Sequence, residues 1–156
     1  MSKRPQSTAP GVQPFGRHDR RDTKLVKKPD TTVRTGASPL RVLLVEDDHD
    51  VTEALVALLR AWGHDVCAVE DGAMALQAVP TFLPDVVLSD IGLRTAIDGC
   101  EVARQLRGQV RLFIALSGGG QECRRRAFAA GFDYFLNKPC NFQELRGFLD
   151  TVTPRH

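Results

Sequence analysis

Long apolar runs are absent from this 156-residue sequence, and their absence excludes a membrane protein of the helical type. No segment reaches the roughly 18 apolar residues that a membrane-spanning helix needs. No apolar stretch follows Lys3-Arg4, as a secretory signal peptide would require. We therefore expect a cytoplasmic protein that does not insert into a membrane.

The sequence also lacks the residue spacing of a thiol- or imidazole-based metal site. Its four cysteines show no C-x-x-C spacing, and none of its four histidines pairs with a cysteine at a zinc-ligand spacing. These absences argue against a zinc site and predict reduced, structural thiols. The cysteines are Cys67, Cys100, Cys123 and Cys140.

Aromatic and acidic residues are scarce in the first 39 residues. This segment carries nine Lys or Arg against three Asp, whereas the remainder carries 12 basic against 16 acidic residues. Because the segment cannot bury enough apolar surface to offset its ordering entropy, residues 1–39 are predicted to form a disordered, basic, Pro-rich tail. A solvated tail is the simplest interpretation; contact with nucleic acid or anionic lipid is the alternative, and the lack of interleaved aromatics disfavours nucleic acid as a partner. Residues 40–156 suffice for one domain.

Within residues 40–156, short apolar runs alternate with helix-length stretches. The helices carry recognisable ends: Asp50 with Glu53, Asp98 with Glu101 and Asn141 with Glu144 resemble capping boxes. A weaker helix fits residues 72–79, where Pro80 would end it. The apolar runs lie near residues 41–45, 66–69, 85–89, 112–116 and 133–136.

Five such βα units predict an α/β fold with a five-stranded parallel sheet and helices on both faces. Near-continuous apolar strands need a helix layer on each side, and right-handed crossovers leave few topologies. The flavodoxin-like strand order 2-1-3-4-5 suits the count. In that order strands 1 and 3 are neighbours at the switch point, where ligands bind.

Polar residues follow four of the predicted strands. Glu46 and Asp47 follow the first, Asp90 the third, Ser117 the fourth and Lys138 the fifth. Because the carboxyl ends of parallel strands share one edge, we expect these side chains to form a single pocket. An acidic loop with helix-capping value is the simpler interpretation of residues 46–48 alone, but it does not explain the other three residues.

Three neighbouring carboxylates repel one another, and a hard divalent cation removes that cost. Mg²⁺, or Mn²⁺, prefers oxygen ligands and keeps several waters. Asp47 and Asp90 could bind the cation directly, Glu46 through water, and Gly92 through its backbone carbonyl. Asp90, at the end of the central strand, is then the best nucleophile toward a phosphoryl group.

Ser117 and Lys138 are placed to contact phosphoryl oxygens. Ser117 precedes three glycines and could donate its hydroxyl, although a serine at a strand end is usually only a turn residue. Lys138 could neutralise a second oxygen, and its alternative role is that of a surface lysine. Pro139 favours the first role for Lys138, since an X-Pro bond in cis can aim the preceding side chain into a pocket.

The segment from Leu40 to about Val152 resembles a receiver domain of the two-component response-regulator family. The matching segments are VLLVEDD, PDVVLSDIGL, DGCEVARQLR, FIALSG and AGFDYFLNKP. The resemblance implies phosphotransfer onto Asp90 from a histidine kinase or a histidine phosphotransfer protein. It also implies that Glu46 and Asp47 form the acidic metal pair, Ser117 is the switch hydroxyl and Lys138 contacts the phosphate.

The resemblance further implies that Phe135 is the switch aromatic and that a downstream protein contacts residues 121–136, where three arginines form a basic face. Such a domain catalyses its own phosphorylation but turns over no separate substrate, so we expect a signalling protein in a phosphorelay and not an enzyme. Two departures from the family stand out. The segment 94–97 is one residue longer than usual and lacks a proline, and Phe135 has no hydroxyl.

Three other functions compete with that of a stand-alone receiver. An aspartate-nucleophile phosphohydrolase would need a second acid two residues after Asp90, where Gly92 stands. A DNA-binding regulator that uses the basic tail would need a helix-turn-helix pattern, which the sequence lacks. A receiver that forms part of a hybrid histidine kinase is left open by the sequence.

Overall fold

Five parallel strands alternate with five helices in the computed structural model, which describes residues 38–155. Residues 1–37, which hold nearly all of the predicted tail, lie outside the described residues. The helices are α1 His49–Ala61, α2 Gly72–Phe82, α3 Gly99–Gln105, α4 Gln121–Ala130 and α5 Phe142–Leu149. The strands are β1 Arg41–Val45, β2 Asp65–Val69, β3 Val86–Asp90, β4 Leu112–Ser117 and β5 Tyr134–Asn137.

The strand order is β2-β1-β3-β4-β5, which confirms the predicted topology. All four neighbouring pairs are parallel, and the register aligns Val45 with Ser89 and Asp90 with Leu116. The predicted α/β fold with helices on both faces is therefore correct. The order also makes β1 and β3 neighbours, so that the residues following them meet at one edge of the sheet.

Side-chain alternation along the strands divides the core into two layers. Leu43, Val87 and Phe113 point to one layer, which α2, α3 and α4 cover. Leu44 and Leu88 point to the other, which α1 and α5 cover. Both faces of the central strands are buried, which explains why their sequences are continuously apolar and do not alternate. Among residues 38–155, no helix is long and apolar enough to cross a membrane.

Two helix starts match the sequence prediction and one does not. Asp98 accepts a hydrogen bond from the Glu101 amide, and Asn141 accepts from the Glu144 amide, as predicted. The first helix instead begins two residues earlier than expected, because Asp48, and not Asp50, caps it. The Asp48 carboxylate accepts from the Val51 amide at 3.1 Å. This acidic residue after the Glu46-Asp47 pair therefore has a capping role.

The prediction that Pro80 ends the second helix was wrong. Pro80 lies inside α2, which continues to Phe82 and ends at Leu83 with φ of 51°. Phe82 packs against the core layer that α2 covers, and this packing holds the chain helical beyond the proline. Tertiary burial here outweighs the local preference of Pro for the first turn of a helix.

Candidate functional site

The carboxyl edge of the sheet gathers most of the buried polar side chains of the described residues. Four of these five side chains lie at or next to the carboxyl ends of β1, β3 and β4. The exception is Asp85, whose carboxylate accepts from the backbone amides of Arg41 and Arg155 and has a structural role. The four at the edge are Glu46, Ser89, Asp90 and Ser117.

The three predicted acidic residues lie together at this edge. One carboxylate oxygen from each of Glu46, Asp47 and Asp90 falls within 4.8 Å of the others. Glu46 is 1% exposed and Asp90 8%, whereas Asp47 is open to solvent. The candidate ligand atoms are all carboxylate oxygens, which suit a hard divalent cation such as Mg²⁺ or Mn²⁺ and do not suit a thiophilic metal.

Lys138 bridges two of these carboxylates. Its ammonium donates to Oε2 of Glu46 at 2.7 Å and to Oδ2 of Asp90 at 2.8 Å. Burial lowers the pKa of Lys138, but the hydrogen bonds and charges of Asp90 and Glu46 outweigh burial and raise that pKa above its usual value. Lys138 is therefore held in its charged form at the centre of the pocket.

Glu46 is the most deeply buried of the three acidic residues of the pocket. Burial raises the pKa of its carboxyl, while the hydrogen bond from Lys138 and the Asp48 amide act in the opposite direction. The Asp48 amide donates to Oε1 of Glu46 at 3.1 Å. Each oxygen of Glu46 thus has its own donor, which fixes the orientation of this carboxylate.

Asp90 is oriented in the same way, with one donor for each oxygen. The Gly92 amide donates to Oδ1 at 2.7 Å and Lys138 donates to Oδ2. The predicted ligand from Gly92 is its carbonyl; the contact found at Gly92 is made by its N–H. Behind Asp90, a Cβ at Gly99 would lie 2.3 Å from the Asp90 carbonyl oxygen. Only glycine fits position 99, because the obstructing atom belongs to the backbone.

Ser117 ends β4 on the side of the pocket that faces β5. Its Oγ accepts from the Gly119 amide at 3.0 Å, and its carbonyl accepts from the Lys138 amide at 2.9 Å. The structure therefore ties Ser117 directly to the backbone of Lys138. A Cβ at Gly119 would lie 2.3 Å from Sγ of Cys123 and 3.2 Å from Oγ of Ser117. The thiol of Cys123 thus lies at the rim of the pocket.

Phe135 lies on β5, which β4 separates from β3 and its Asp90. It is buried on β5 opposite Ala115, and the Arg124 guanidinium lies 5.6 Å from its ring centroid. The same guanidinium lies 5.4 Å from the ring of Phe128. The Lys138-Pro139 peptide is cis, as the sequence prediction allowed. Lys138, which lies between Phe135 and Pro139 in the sequence, is the one that reaches the acidic residues.

The contact of Arg94 with the site is one that sequence reasoning missed. Its Nε lies 3.9 Å from Oδ2 of Asp47, in the loop that connects β3 to α3. A partial signal is present in the sequence, since segment 94–97 departs from the family pattern, but spacing alone does not reveal where a loop side chain points. Beside Lys138, a groove of 320 Å³ lies between α1 and the start of α5. It is lined mainly by apolar side chains, among them Val51, Ala54 and Phe142.

Comparison with known proteins identifies the family. Residues 42–150 match the model of the response regulator receiver domain, which covers both β1 with its acidic pair and β5 with Lys138. The chain belongs to this family. The receiver resemblance seen in the sequence is therefore confirmed.

Curated relatives of this receiver are longer proteins. It is 33% identical over 146 residues to the autoinducer 2 sensor kinase/phosphatase LuxQ of Vibrio cholerae, covering 85% of this chain and 17% of LuxQ. It is 33% identical over 123 residues to the response regulator MprA of Mycolicibacterium vanbaalenii, covering 74% of this chain and 53% of MprA. The chain thus spans about half or less of these relatives.

Solved receiver structures share the fold. The receiver domain of sensor histidine kinase PA1611 from Pseudomonas aeruginosa is 30% identical, with a TM-score of 0.66 over 73% of this chain and 97% of that one. That structure holds a magnesium ion in its active-site cleft. The chemotaxis protein CheY4 of Vibrio cholerae is 25% identical, with a TM-score of 0.67 over 74% and 99% of the two chains. Receiver domains bind Mg²⁺ in an acidic site and interact with histidine kinases or phosphotransfer proteins.

Proposed function

We propose that Asp90 accepts a phosphoryl group from a phosphohistidine of a histidine kinase or histidine phosphotransfer protein. The observation that carries this proposal is the position of the Asp90 carboxylate. It ends the central strand, is held by Gly92 and Lys138, and lies within 4.8 Å of two further carboxylates. Such an arrangement suits a group that must be nucleophilic and surrounded by compensating charge.

In the proposed reaction, an oxygen of Asp90 attacks phosphorus and the bond from phosphorus to the donor imidazole breaks. The imidazole leaves with the electron pair, and Asp90 becomes an acyl phosphate. Lys138 can stabilise the negative charge that develops on the phosphoryl oxygens, because its ammonium already lies 2.8 Å from Oδ2 of Asp90. Ser117 can turn its hydroxyl toward a phosphoryl oxygen, since Oγ now only accepts from Gly119. Hydrolysis of the acyl phosphate returns Asp90, so the domain processes no separate substrate.

The acidic cluster fits a divalent cation in this reaction. Asp47 and Asp90 would hold Mg²⁺ or Mn²⁺, with Glu46 acting through water and Gly92 through its carbonyl. When bound, the cation supplies positive charge that offsets the carboxylates and the phosphoryl oxygens. Glu46 and Asp90 are already held by donors of the protein itself, so that their carboxylates are oriented before the cation binds.

We also propose that the phosphorylated domain signals through residues 121–136, with Phe135 as the switch aromatic. Phe128 is 42% exposed on this surface and lies against Arg124. Arg125 pairs with Glu122, and Arg126 pairs with Asp98. Two of the three arginines are thus neutralised within the protein, so Arg124 and Phe128 are the side chains that we expect a partner to contact.

Labelling with a small phosphodonor tests the acceptor. With acetyl phosphate and Mg²⁺, intact-mass measurement should show one added phosphoryl group, and Asp90→Asn should abolish it. Asp65→Asn, an equivalent change at an exposed position on the opposite edge of the sheet, should leave labelling unchanged. Excess EDTA should suppress it. Labelling that persists in Asp90→Asn, or in EDTA, would contradict the proposal.

Hydrogen exchange tests the signalling surface. Beryllofluoride, which mimics the acyl phosphate, should change amide exchange within residues 121–137 more than within β2. The Asp90→Asn protein should show no such change, because its neutral amide cannot replace the carboxylate oxygen that bonds the beryllium of the mimic. Equal changes in both regions would argue against a response focused on α4 and β5.

A further inference from the structure

The loop between β3 and α3 is anchored on both sides of Arg94. Leu93 is buried, and Ile97 packs against the same core layer. A Cβ at Gly72 would lie 2.3 Å from the Ile97 carbonyl oxygen, so the start of α2 presses directly on the loop. The Thr95 hydroxyl donates to the Ile97 carbonyl at 2.9 Å. The backbone of Arg94 is therefore held in place over the pocket.

The three carboxylates of the acidic cluster form ion pairs with two different protein cations, Lys138 and Arg94. Lys138 forms its ion pairs with Glu46 and Asp90. Asp47 has Arg94 as its one ionic partner within residues 38–155. Three carboxylates thus face two protein cations. Asp47, which pairs with Arg94, is also the most exposed of the three acidic residues. It is therefore the carboxylate most accessible to a cation that enters from solvent.

The Arg94 side chain can leave this contact at little cost. It is 92% exposed, and its separation from Asp47 is 3.9 Å, which is the length of a loose ion pair. An exposed guanidinium keeps its hydration when it turns away, so no burial is lost. Lys138, in contrast, is 27% exposed and holds two short hydrogen bonds. Of the two cations, Arg94 is the one that a divalent ion can displace.

We propose that Arg94 is a positioning residue that competes with the divalent cation for Asp47. It thereby sets the cation concentration at which Asp90 becomes reactive. The inference rests on the proposed function, since it concerns the cation of the same site. Arg94 balances Asp47 when the divalent ion is absent and opposes its entry by adding positive charge. Removal of Arg94 should therefore strengthen cation binding, which is opposite to the effect of removing a ligand.

Calorimetric titration with Mg²⁺ alone, at low ionic strength, tests this competition. Arg94→Ala should bind Mg²⁺ about 1.5- to 5-fold more tightly than the native protein, the range expected for one exposed ion pair. Arg94→Lys should restore the native affinity, because it keeps the charge. Added salt should shrink the difference, since exposed charges are screened.

Arg104→Ala is the matched control. Arg104 pairs with Glu101 on α3 at 3.1 Å, so its removal deletes the same charge from another exposed ion pair. The control should leave Mg²⁺ affinity at the native value. Equal tightening in Arg104→Ala would assign the effect to net charge and overturn the inference. Unchanged or weaker binding by Arg94→Ala would also overturn it.

The labelling reaction separates this inference from the proposed function. The Mg²⁺ concentration for half-maximal labelling by acetyl phosphate should fall in Arg94→Ala by the same factor as the dissociation constant. If native labelling depends on Asp90 but this concentration does not move, only the role of Arg94 fails. If Asp90→Asn is labelled like the native protein while Arg94→Ala still binds Mg²⁺ more tightly, the phosphoacceptor fails and the competition stands.

Discussion

The ammonium of Lys138 lies 2.8 Å from Oδ2 of Asp90, a residue 48 positions earlier in the chain. The same ammonium lies 2.7 Å from Oε2 of Glu46. One cation thus ties β5 to β1 and β3 across the sheet edge, and it holds in register the groups that a phosphoryl group would meet. This arrangement makes the stability of the domain depend on the balance of charge in its site.

Replacement of Lys138 by Met should destabilise the domain when divalent ions are absent. It leaves Glu46, whose side chain is fully buried, without its cationic partner beside Asp90. Because Lys138 is itself partly exposed, we expect a loss of about 1–3 kcal/mol, below the usual cost of breaking a fully buried pair. Urea unfolding in EDTA measures the loss, and Mg²⁺ should recover part of it.

The double variant Lys138→Met/Asp90→Asn provides the control. Removing the Asp90 charge relieves repulsion with Glu46, so the double variant should be more stable in EDTA than Lys138→Met alone. Additive losses in the double-mutant cycle would show that the contribution of Lys138 is not electrostatic.

Replacement of Gly99 by Ala should damage both stability and labelling. The new methyl group would meet the Asp90 carbonyl oxygen at 2.3 Å and Oγ of Ser89 at 2.8 Å. Overpacking against a backbone atom forces β3 or α3 to shift, which costs about 1–3 kcal/mol. Since the displaced backbone carries Asp90, the rate of labelling by acetyl phosphate should fall with it.

Gly147→Ala is the comparison for Gly99→Ala. Gly147 lies on the exposed side of α5, where an added Cβ would meet no atom within 4 Å. Alanine there should stabilise the helix by about 0.5–1 kcal/mol and leave labelling intact. A loss at position 147 as large as that at 99 would disprove the steric explanation.

The sheet and its edge could be predicted because they depend on periodicities that the sequence displays directly. Each of the five apolar strands ends at or near a polar residue. The strand order then brings Glu46, Asp90, Ser117 and Lys138 together at one edge of the sheet. Helix ends with a side-chain cap, such as Asp98 and Asn141, were predictable for the same reason. The physics that sets these features is local, and the crossover rule supplies the remainder.

Features that depend on tertiary contacts could not be predicted. Pro80 stays within α2 because Phe82 packs on the core, and no local pattern shows that packing. Asp48 and Asp50 are equally good caps by residue type, and the end of β1 decides between them. Arg94 reaches Asp47 only because Leu93 and Ile97 anchor the loop, which is a property of the folded domain.

The pH dependence of the free energy of unfolding should include a contribution from His64. Burial lowers its pKa below the usual 6.5, and Arg146 adds to that effect while Asp150 opposes it. The Leu40 amide donates to its Nδ1, which accepts only in a neutral ring. The folded state thus binds fewer protons than the unfolded state, so this contribution is present above pH 6.5 and is lost as the pH falls below 6.5 and through the lower pKa of the folded state.

Melting temperatures of native and His64→Gln protein at about pH 7.5 and about pH 5.5, on either side of the usual histidine pKa, measure this effect. The native protein should lose more stability on acidification than the variant, because other titrating groups are common to both. His49→Gln, which removes an exposed imidazole on α1, controls for the loss of a histidine as such. Identical acid losses in native and His64→Gln protein would rule out this role.

Cys123 should limit the size of the side chain that position 119 can accommodate. A Cβ at Gly119 would lie 2.3 Å from Sγ and 2.8 Å from Cβ of Cys123. Gly119→Ala should therefore cost about 1–3 kcal/mol in urea unfolding. It should also slow labelling, since the Gly119 amide donates to Ser117. Gly118→Ala, which meets no atom within 4 Å, should have little effect.

The coupling between these two positions decides whether Cys123 is the obstacle. Cys123→Ala removes the sulfur that is nearest to the new methyl group, so the loss caused by Gly119→Ala should be smaller in the Cys123→Ala background. The remaining Cβ of residue 123 still lies close, so the recovery should be partial. If the loss is the same in both backgrounds, the restriction comes from the Ser117 side of the pocket, and enlarging position 119 would require a change there instead.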